Sequence, residues 1–295
     1  MFSLKWDCDR AEHHYERSPV QAFSRMRIDR YSARVLKTTT GLVEIPEGLG
    51  VLWLNFKGAY LMRRASSIRV AVIPAQSATF MRGPARAVLQ AAKGEHYAEV
   101  ASWPLAGISY LEAWLEQRSP IDDKPRRSSG SKPFHPALNQ ALARYEAGKD
   151  GGELAEPLIA SAIVEMVARL VVGDDEFQLA GVPTDLPSTI LDLTKQVRKD
   201  PSLPWPLKEA ADIAGYSPFH FSRVFKSLAG FGFHEYVDRC RTETAIEMLC
   251  NTDEPIDTVA AMTGFGTTQG LRESVKEYLG LVPSEIRAVP DALKD

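Results

Sequence analysis

The stretch SPFHFSRVFKSLAG, residues 217–230, decides the reading of this chain. Phe221, Val224, Phe225 and Leu228 recur at three- and four-residue intervals and predict the buried stripe of an α-helix. The other face holds Phe219, Ser222, Arg223 and Lys226: an aromatic ring, a hydroxyl and two cations, more than solvation requires. Ser217 suits the N-cap, where its side-chain oxygen accepts from a free amide of the first turn. Pro218 then falls at the first helical position, which needs no amide hydrogen. An outer face so furnished points to a partner.

The segment has a second copy. LKEAADIAGY (207–216) aligns with IDTVAAMTGF (256–265) at an offset of 49, each a short helix with small and apolar residues inward, a glycine stop and an aromatic. After the turn the offset becomes 50, so the second copy has one extra turn residue. Phe221 then matches Leu271, Phe225 matches Val275, Lys226 matches Lys276 and Gly230 matches Gly280. Each copy reads as helix, tight glycine turn, helix, the helix-turn-helix unit. In that unit the second helix enters the major groove of DNA and its N-terminal residues meet base edges.

The groove floor offers thymine methyls, the acceptor atoms of guanine and flanking phosphates. Phe219 suits a methyl, Arg223 a guanine edge or a phosphate, Ser222 either, and Lys226 a phosphate one turn deeper. The amide-rich helix start at Ser217 and His220 suits a phosphate. Thr268, Gln269, Arg272, Glu273 and Lys276 are the corresponding candidates on the second copy. The bland alternatives are a surface salt bridge for Arg223 and packing within its own unit for Phe219. Arg239 and Arg241 suit either a phosphate or a brace between the two halves. Between the copies, FHEYVDRCRTETAIEMLC (233–250) predicts one continuous helix, roughly 25 Å long at about 1.5 Å per residue. A rigid spacer of that size would set two recognition helices about one DNA turn, ~34 Å, apart.

On these stretches, with KEYLGLVPSEIR, residues 190–288 resemble the DNA-binding domain of the AraC/XylS family of transcription regulators. The resemblance covers about a third of the chain. It implies a double-stranded DNA operator, an N-terminal cupin-like β domain that senses a small molecule, helices that pair two chains into a homodimer, and activation through contact with RNA polymerase in the cytoplasm. One departure stands out. The family usually has aromatics where Leu271 and Val275 stand, and often a cation where Glu273 stands. A carboxylate there repels phosphate, although it accepts from cytosine N4, and Arg272 is placed to take over the cationic role.

The rest of the chain fits that plan. Its 295 residues suffice for two cores. Residues 31–115 read as strand-rich: VLWLNF (51–56) and IRVAVIP (68–74) are β-prone runs, and glycine and proline break the region often. The expected fold class is α+β: an N-terminal cupin-like β-sandwich or barrel over 1–135, a helical pair over 136–173, a linker over 174–188, and an all-α domain with two helix-turn-helix units over 189–290. KPRRSSGSKP (124–133) reads as an exposed loop. Ile159, Ile163, Met166 and Leu170 form an apolar stripe at helical spacing within 154–173, the candidate dimer face. Trp53, Tyr60, Phe80 and Trp103 are candidates to line an effector cavity or simply to fill the core.

Composition narrows the class. With 44% apolar and 25% charged residues and no run of eighteen apolar residues, the chain reads as globular, with no membrane span and no signal peptide. The three cysteines have no CxxC spacing and suit reduced thiols, Cys240 and Cys250 as core residues rather than redox sensors. Residues 190–288 carry eleven Lys/Arg against fourteen Asp/Glu, a net −3. DNA binding therefore needs cations gathered on one face. The rival readings are a cupin-type enzyme and a DNA-repair alkyl acceptor. The first needs histidines converging on a metal, which His13, His14 and His96 do not supply at their spacing. The second needs a cysteine cluster, and Cys8 stands alone in the first 180 residues. No catalytic constellation, metal site or cofactor is expected. A regulator without a ligand, controlled by its abundance, is a third reading.

Overall fold

The computed structural model describes residues 2–7, 13–23, 26–65, 70–108, 131–133, 136–172 and 187–287. Most of the basic loop at 124–133 and nearly all of the linker at 174–188 lie outside them. The chain divides into two units, one mainly of Met1–Pro133 with Ala141–Gly173, the other of Phe134–Gln140 with Asp174–Val289.

The first unit holds two antiparallel sheets rather than a closed barrel. The five-stranded sheet has the order β1-β4-β9-β6-β7: Ser3–Asp7, Thr39–Ile45, Ala85–Ala91, Tyr60–Arg64 and Val70–Ile73. The six-stranded sheet has the order β11-β8-β5-β10-β3-β2: Ser131–Pro133, Ser77–Arg82, Leu49–Lys57, Gly94–Pro104, Arg27–Val35 and His13–Ala22. Strand structure thus begins well before residue 31, where the sequence pattern first showed it. Alternate residues of both sheets, among them Val43, Ile45, Val51, Trp53, Tyr60, Met62, Leu89 and Val100, meet in one core between them. Strand β4 shows the period of two, with Thr39, Gly41, Val43 and Ile45 buried in turn. Strand β5 is buried on both faces from Gly50 to Asn55, because helices cover its other side.

Those helices are α1 (Pro136–Gly148), which enters this unit at Ala141, and α2 (Ala155–Val172). Helix α2 packs on β8. Ile159, Ile163, Met166 and Leu170 are all buried within the chain itself, so the stripe expected to pair two chains is core. Amphipathicity identifies a face that must be covered; it does not say by what. The exposed apolar residue of α2 is Leu158, at 48%.

The four aromatics offered either for a cavity lining or for the core also separate. Trp53 and Tyr60 meet edge to face in the inter-sheet core, centroids 5.6 Å apart. Phe80 and Trp103 stack on each other at 6.1 Å. Phe80 is the neighbour of Thr79 and Met81 along β8, and Met81 belongs to the inter-sheet core, so Phe80 faces the other way. The two pairs lie on opposite faces of the six-stranded sheet.

The second unit is helical: α3 (Ser188–Lys199), α4 (Leu207–Ile213), α5 (Pro218–Ala229), α6 (Phe233–Asn251), α7 (Ile256–Met262), α8 (Thr268–Leu279) and α9 (Pro283–Arg287). Helix α6 is continuous over 19 residues, about 28 Å at ~1.5 Å per residue. Its first half packs with Phe221, Phe225 and Phe233 in an aromatic cluster. Its second half belongs with buried Leu271, Val275, Leu279 and Ile286. The expected helix–glycine–helix repeat is present twice, as α4–α5 and α7–α8.

Candidate nucleic-acid interface

Each repeat uses the same local devices. Ser217 adopts an extended backbone and accepts from His220 N at 3.4 Å, with Pro218 opening α5. Thr267 does the same for α8, accepting from Gly270 N at 3.0 Å. Both helices end on a left-handed glycine, Gly230 at φ 86° and Gly280 at φ 76°, whose amides return to Lys226 O and Lys276 O. The turns before them hinge on Gly215 at φ 77° and Gly264 at φ 79°. At Gly264 a Cβ would also lie 2.7 Å from Ser202 O, so this turn needs glycine twice over. Thr267 was absent from the residues singled out by sequence. Its signal was the fifty-residue offset from Ser217.

The burial pattern turns the candidate faces outward. On α5, Phe221 and Phe225 are buried while Phe219 is 75% exposed, with His220, Arg223 and Lys226 also exposed. The Arg223 guanidinium lies over the Phe219 ring at 5.9 Å. His220 lies against Tyr216, 5.1 Å between rings, and Ser222 Oγ donates to Pro218 O. On α8, Leu271 and Val275 are buried in the positions of Phe221 and Phe225. Gln269, Arg272, Glu273 and Lys276 are exposed and Thr268 half-buried. Gln269 Nε2 donates to Glu273 Oε1 at 2.7 Å. Helix α5 carries Arg223 and Lys226 and no acid; α8 balances Arg272 and Lys276 against Glu273 and Glu277.

Arg241, on α6, is tied to backbone carbonyls. Its Nε donates to Pro201 O at 2.9 Å and a terminal nitrogen to Leu203 O at 3.0 Å, with Asp238 beside it. These contacts are of the bracing kind, one of the two roles its sequence left open. It ties the loop before α4, which also presses on Gly264, to the central helix. Arg239 lies over the Phe231 ring at 4.3 Å and pairs with Glu235. Glu243 of α6 accepts from Tyr278 Oη of α8 at 2.6 Å and from Arg198 of α3 at 3.2 Å, joining α3 and α8 through the central helix. Burial pushes the Cys240 thiol up to about 12, which leaves it a protonated core residue.

The family described as a helix-turn-helix domain matches residues 210–288. This region is an AraC-type helix-turn-helix domain. It is 39% identical over 79 residues to the HTH-type transcriptional regulator Rv1931c of Mycobacterium tuberculosis, covering 27% of this chain and 30% of that protein. It is similar to an AraC-like transcription regulator of Streptomyces lividans, 30% identical over 112 residues, 38% of this chain and 36% of the other. The match therefore spans about a third of the length of these curated relatives. Among solved structures, the DNA-binding domain of AdpA in complex with a target DNA is 24% identical and covers 36% of this chain and 96% of that one, with a TM-score of 0.34. Among the described residues, no helix is long and apolar enough to cross a membrane.

The first unit has polar groups of its own. Trp53 Nε1, Asn55 Oδ1, Thr79 Oγ1 and His96 Nδ1 are buried without a hydrogen-bond partner among the described residues. All four belong to the inter-sheet side. Thr79 is the cross-strand partner of Trp53, Asn55 lies two residues on, and the His96 ring lies 4.8 Å from that of Tyr60. Gly58, at φ 75°, admits the His96 ring: a Cβ there would lie 2.2 Å from Nδ1. Burial lowers the His96 pKa against the pull of its Nε2 contact with Ala92 O. Glu99, three residues along β10, points to the opposite face, where Tyr145 of α1 and Lys149 just after that helix donate to it.

Proposed function

We propose that the chain is a sequence-specific, DNA-binding transcription regulator that places α5 and α8 in successive major grooves and responds to a small molecule in its β unit. The observation that carries the DNA-binding part is the doubled geometry: cap, exposed reading turn, buried stripe and left-handed glycine, built twice along one continuous helix. The cations of α5 supply the local positive face that the net charge of the domain lacks.

Arg223 and Phe219 read bases in the first groove, Lys226 anchors phosphate, and the capped helix start adds its amides. Binding of the full-length protein to its selected operator at fixed salt tests this. Arg223→Ala costs about 1–3 kcal/mol, while Glu273→Ala costs less. A silent Arg223→Ala with a severe Glu273→Ala reverses the order of the two units.

The effector part is supported by the four unpartnered polar atoms of the inter-sheet core. Buried polar groups in proteins are hydrogen-bonded with few exceptions. Indole N–H, amide oxygen, hydroxyl and imidazole nitrogen together match a small polar molecule with both donors and acceptors. A thermal-shift screen of such compounds, followed by operator binding, checks it. A ligand at a hundredfold excess over its Kd adds about 2.7 kcal/mol to stability. The same reading includes activation through RNA polymerase and pairing of two chains, through a surface other than the buried stripe of α2.

A further inference from the structure

We infer that the two helix-turn-helix units read chemically opposite base edges, so that the two halves of the operator are not interchangeable: the first is a guanine/thymine element and the second an adenine/cytosine element on the strand each helix addresses. This rests on the DNA-binding reading above.

The internal repeat makes the comparison position by position. Across the offset of 50, Phe219 corresponds to Gln269 and Arg223 to Glu273. Both positions are exposed in both helices, two and six residues beyond the N-cap. In both helices they touch each other: the Arg223 guanidinium over the Phe219 ring at 5.9 Å, the Gln269 amide on the Glu273 carboxylate at 2.7 Å. The reading element is therefore a pair four residues apart, built at the same place twice with opposite chemistry.

The first pair has donors and an apolar face. A guanidinium carries five N–H donors and no acceptor. Its complement in the major groove is guanine, which shows two acceptors, N7 and O6. The Phe219 ring complements the thymine methyl. The second pair has acceptors. With one Nε2 hydrogen on Glu273, the Gln269 amide keeps a fixed orientation, one free N–H and its Oε1. That is the complement of adenine, which shows the N7 acceptor beside the N6 donor. The carboxylate keeps a second oxygen, which matches the cytosine N4 donor. Arg272 and Lys276, on the same helix, supply the cations that let a carboxylate approach the phosphates. Glu273, which looked like a defect in a DNA-reading helix, is on this account the group that sets the second unit's preference.

The test is a reciprocal exchange. The full-length protein selects duplexes at fixed salt from a library randomised over three helical turns. A variant with Phe219→Gln, Arg223→Glu, Gln269→Phe and Glu273→Arg then selects from the same library. All four positions are exposed, and circular dichroism confirms folding. The wild type should enrich a G/T element and an A/C element about one helical turn apart. The exchanged protein should enrich the same elements in reversed order and bind the wild-type operator at least ~10-fold more weakly. The single change Glu273→Gln, which keeps the size and the contact with Gln269, should relax the second element and leave the first unchanged. Enrichment in the same order by both proteins, or a second element indifferent to Glu273→Gln, makes the pair a surface contact and overturns the inference while DNA binding stands. No enriched duplex with the wild type overturns both.

Discussion

Glu99 and Trp53 lie on neighbouring strands of the six-stranded sheet, one on the helix-covered face and one on the face turned to the other sheet, and their polar atoms fare differently. Glu99 is buried and accepts from Lys149 Nζ at 2.6 Å, Tyr145 Oη at 2.9 Å, Tyr97 Oη at 3.0 Å and Arg30 at 3.3 Å. Burial by itself would raise its pKa. The hydrogen bonds and charge of Lys149, with the two hydroxyls, outweigh that and hold it below the ordinary carboxylate value. Trp53, with Asn55, Thr79 and His96, keeps polar atoms unmatched in the apolar core. A buried network that is fully matched specifies packing, here the seat of α1 on the sheet. An unmatched set costs stability until something binds it. Structure is held by the first cluster, and the second is where a ligand is expected.

The contrast breaks most readily at Glu99. Glu99→Ala leaves the buried Tyr145 hydroxyl without its acceptor and takes one carboxylate from the half-buried Lys149, which keeps Glu146, and should cost about 1–3 kcal/mol, the usual penalty for leaving a buried polar group unsatisfied. Urea denaturation of the full chain, followed by aromatic circular dichroism, measures it. A cost under ~1 kcal/mol would make the network a surface feature.

Acid should act on both clusters in sequence. The folded His96 has a depressed pKa, so the unfolded chain takes up the imidazole proton first as pH falls. Stability is therefore full above the ordinary imidazole value of 6.5 and declines as pH falls below it toward the folded value. Glu99, also depressed, adds a further loss below its ordinary value of 4.5. Comparing pH 7.5 with pH 5.5 isolates the first step, and His96→Phe should flatten it. An unchanged slope in that variant would assign the step to another group.

Thr79→Val is the smallest expected effect and the sharpest discriminator. It removes an unmatched hydroxyl at nearly constant shape, so stability should change by less than ~1 kcal/mol and in the favourable direction. A loss as large as that of Glu99→Ala would show that the hydroxyl is matched and would erase the difference between the clusters.

How much of this was legible in advance differs between the units. The helical unit was readable to within a residue or two at most helix boundaries, because its signals are local. Ser217, Pro218 and Gly230 act on the backbone within one turn, and the 3.6-residue period of Phe221 and Phe225 needs no distant partner to be seen. The fifty-residue repeat then assigned α8 from α5. Strands β5 and β7 were visible as β-prone runs, but not that β10 runs between β3 and β5 or that β1 pairs with β4. Register joins residues far apart in the chain, and no local propensity encodes it.

The site divides along the same line. Sequence alone put Phe219 and Arg223 on one helix face and showed the odd carboxylate at Glu273, since spacing along a helix determines which side chains share a face; their contact is seen only in the structure. Tertiary structure decided whatever depends on what covers a face. Ile159, Ile163, Met166 and Leu170 read as an apolar stripe whether a sheet or a second chain lies on it; the sheet does. Arg241 read as a cation free for phosphate or for a brace, and two backbone carbonyls settled its position. Trp53 and Phe80 read alike as aromatics in strands, and strand register put them on opposite faces. A sequence encodes which surfaces must be buried because burial is a property of the side chain; which surface buries which is a property of the pair.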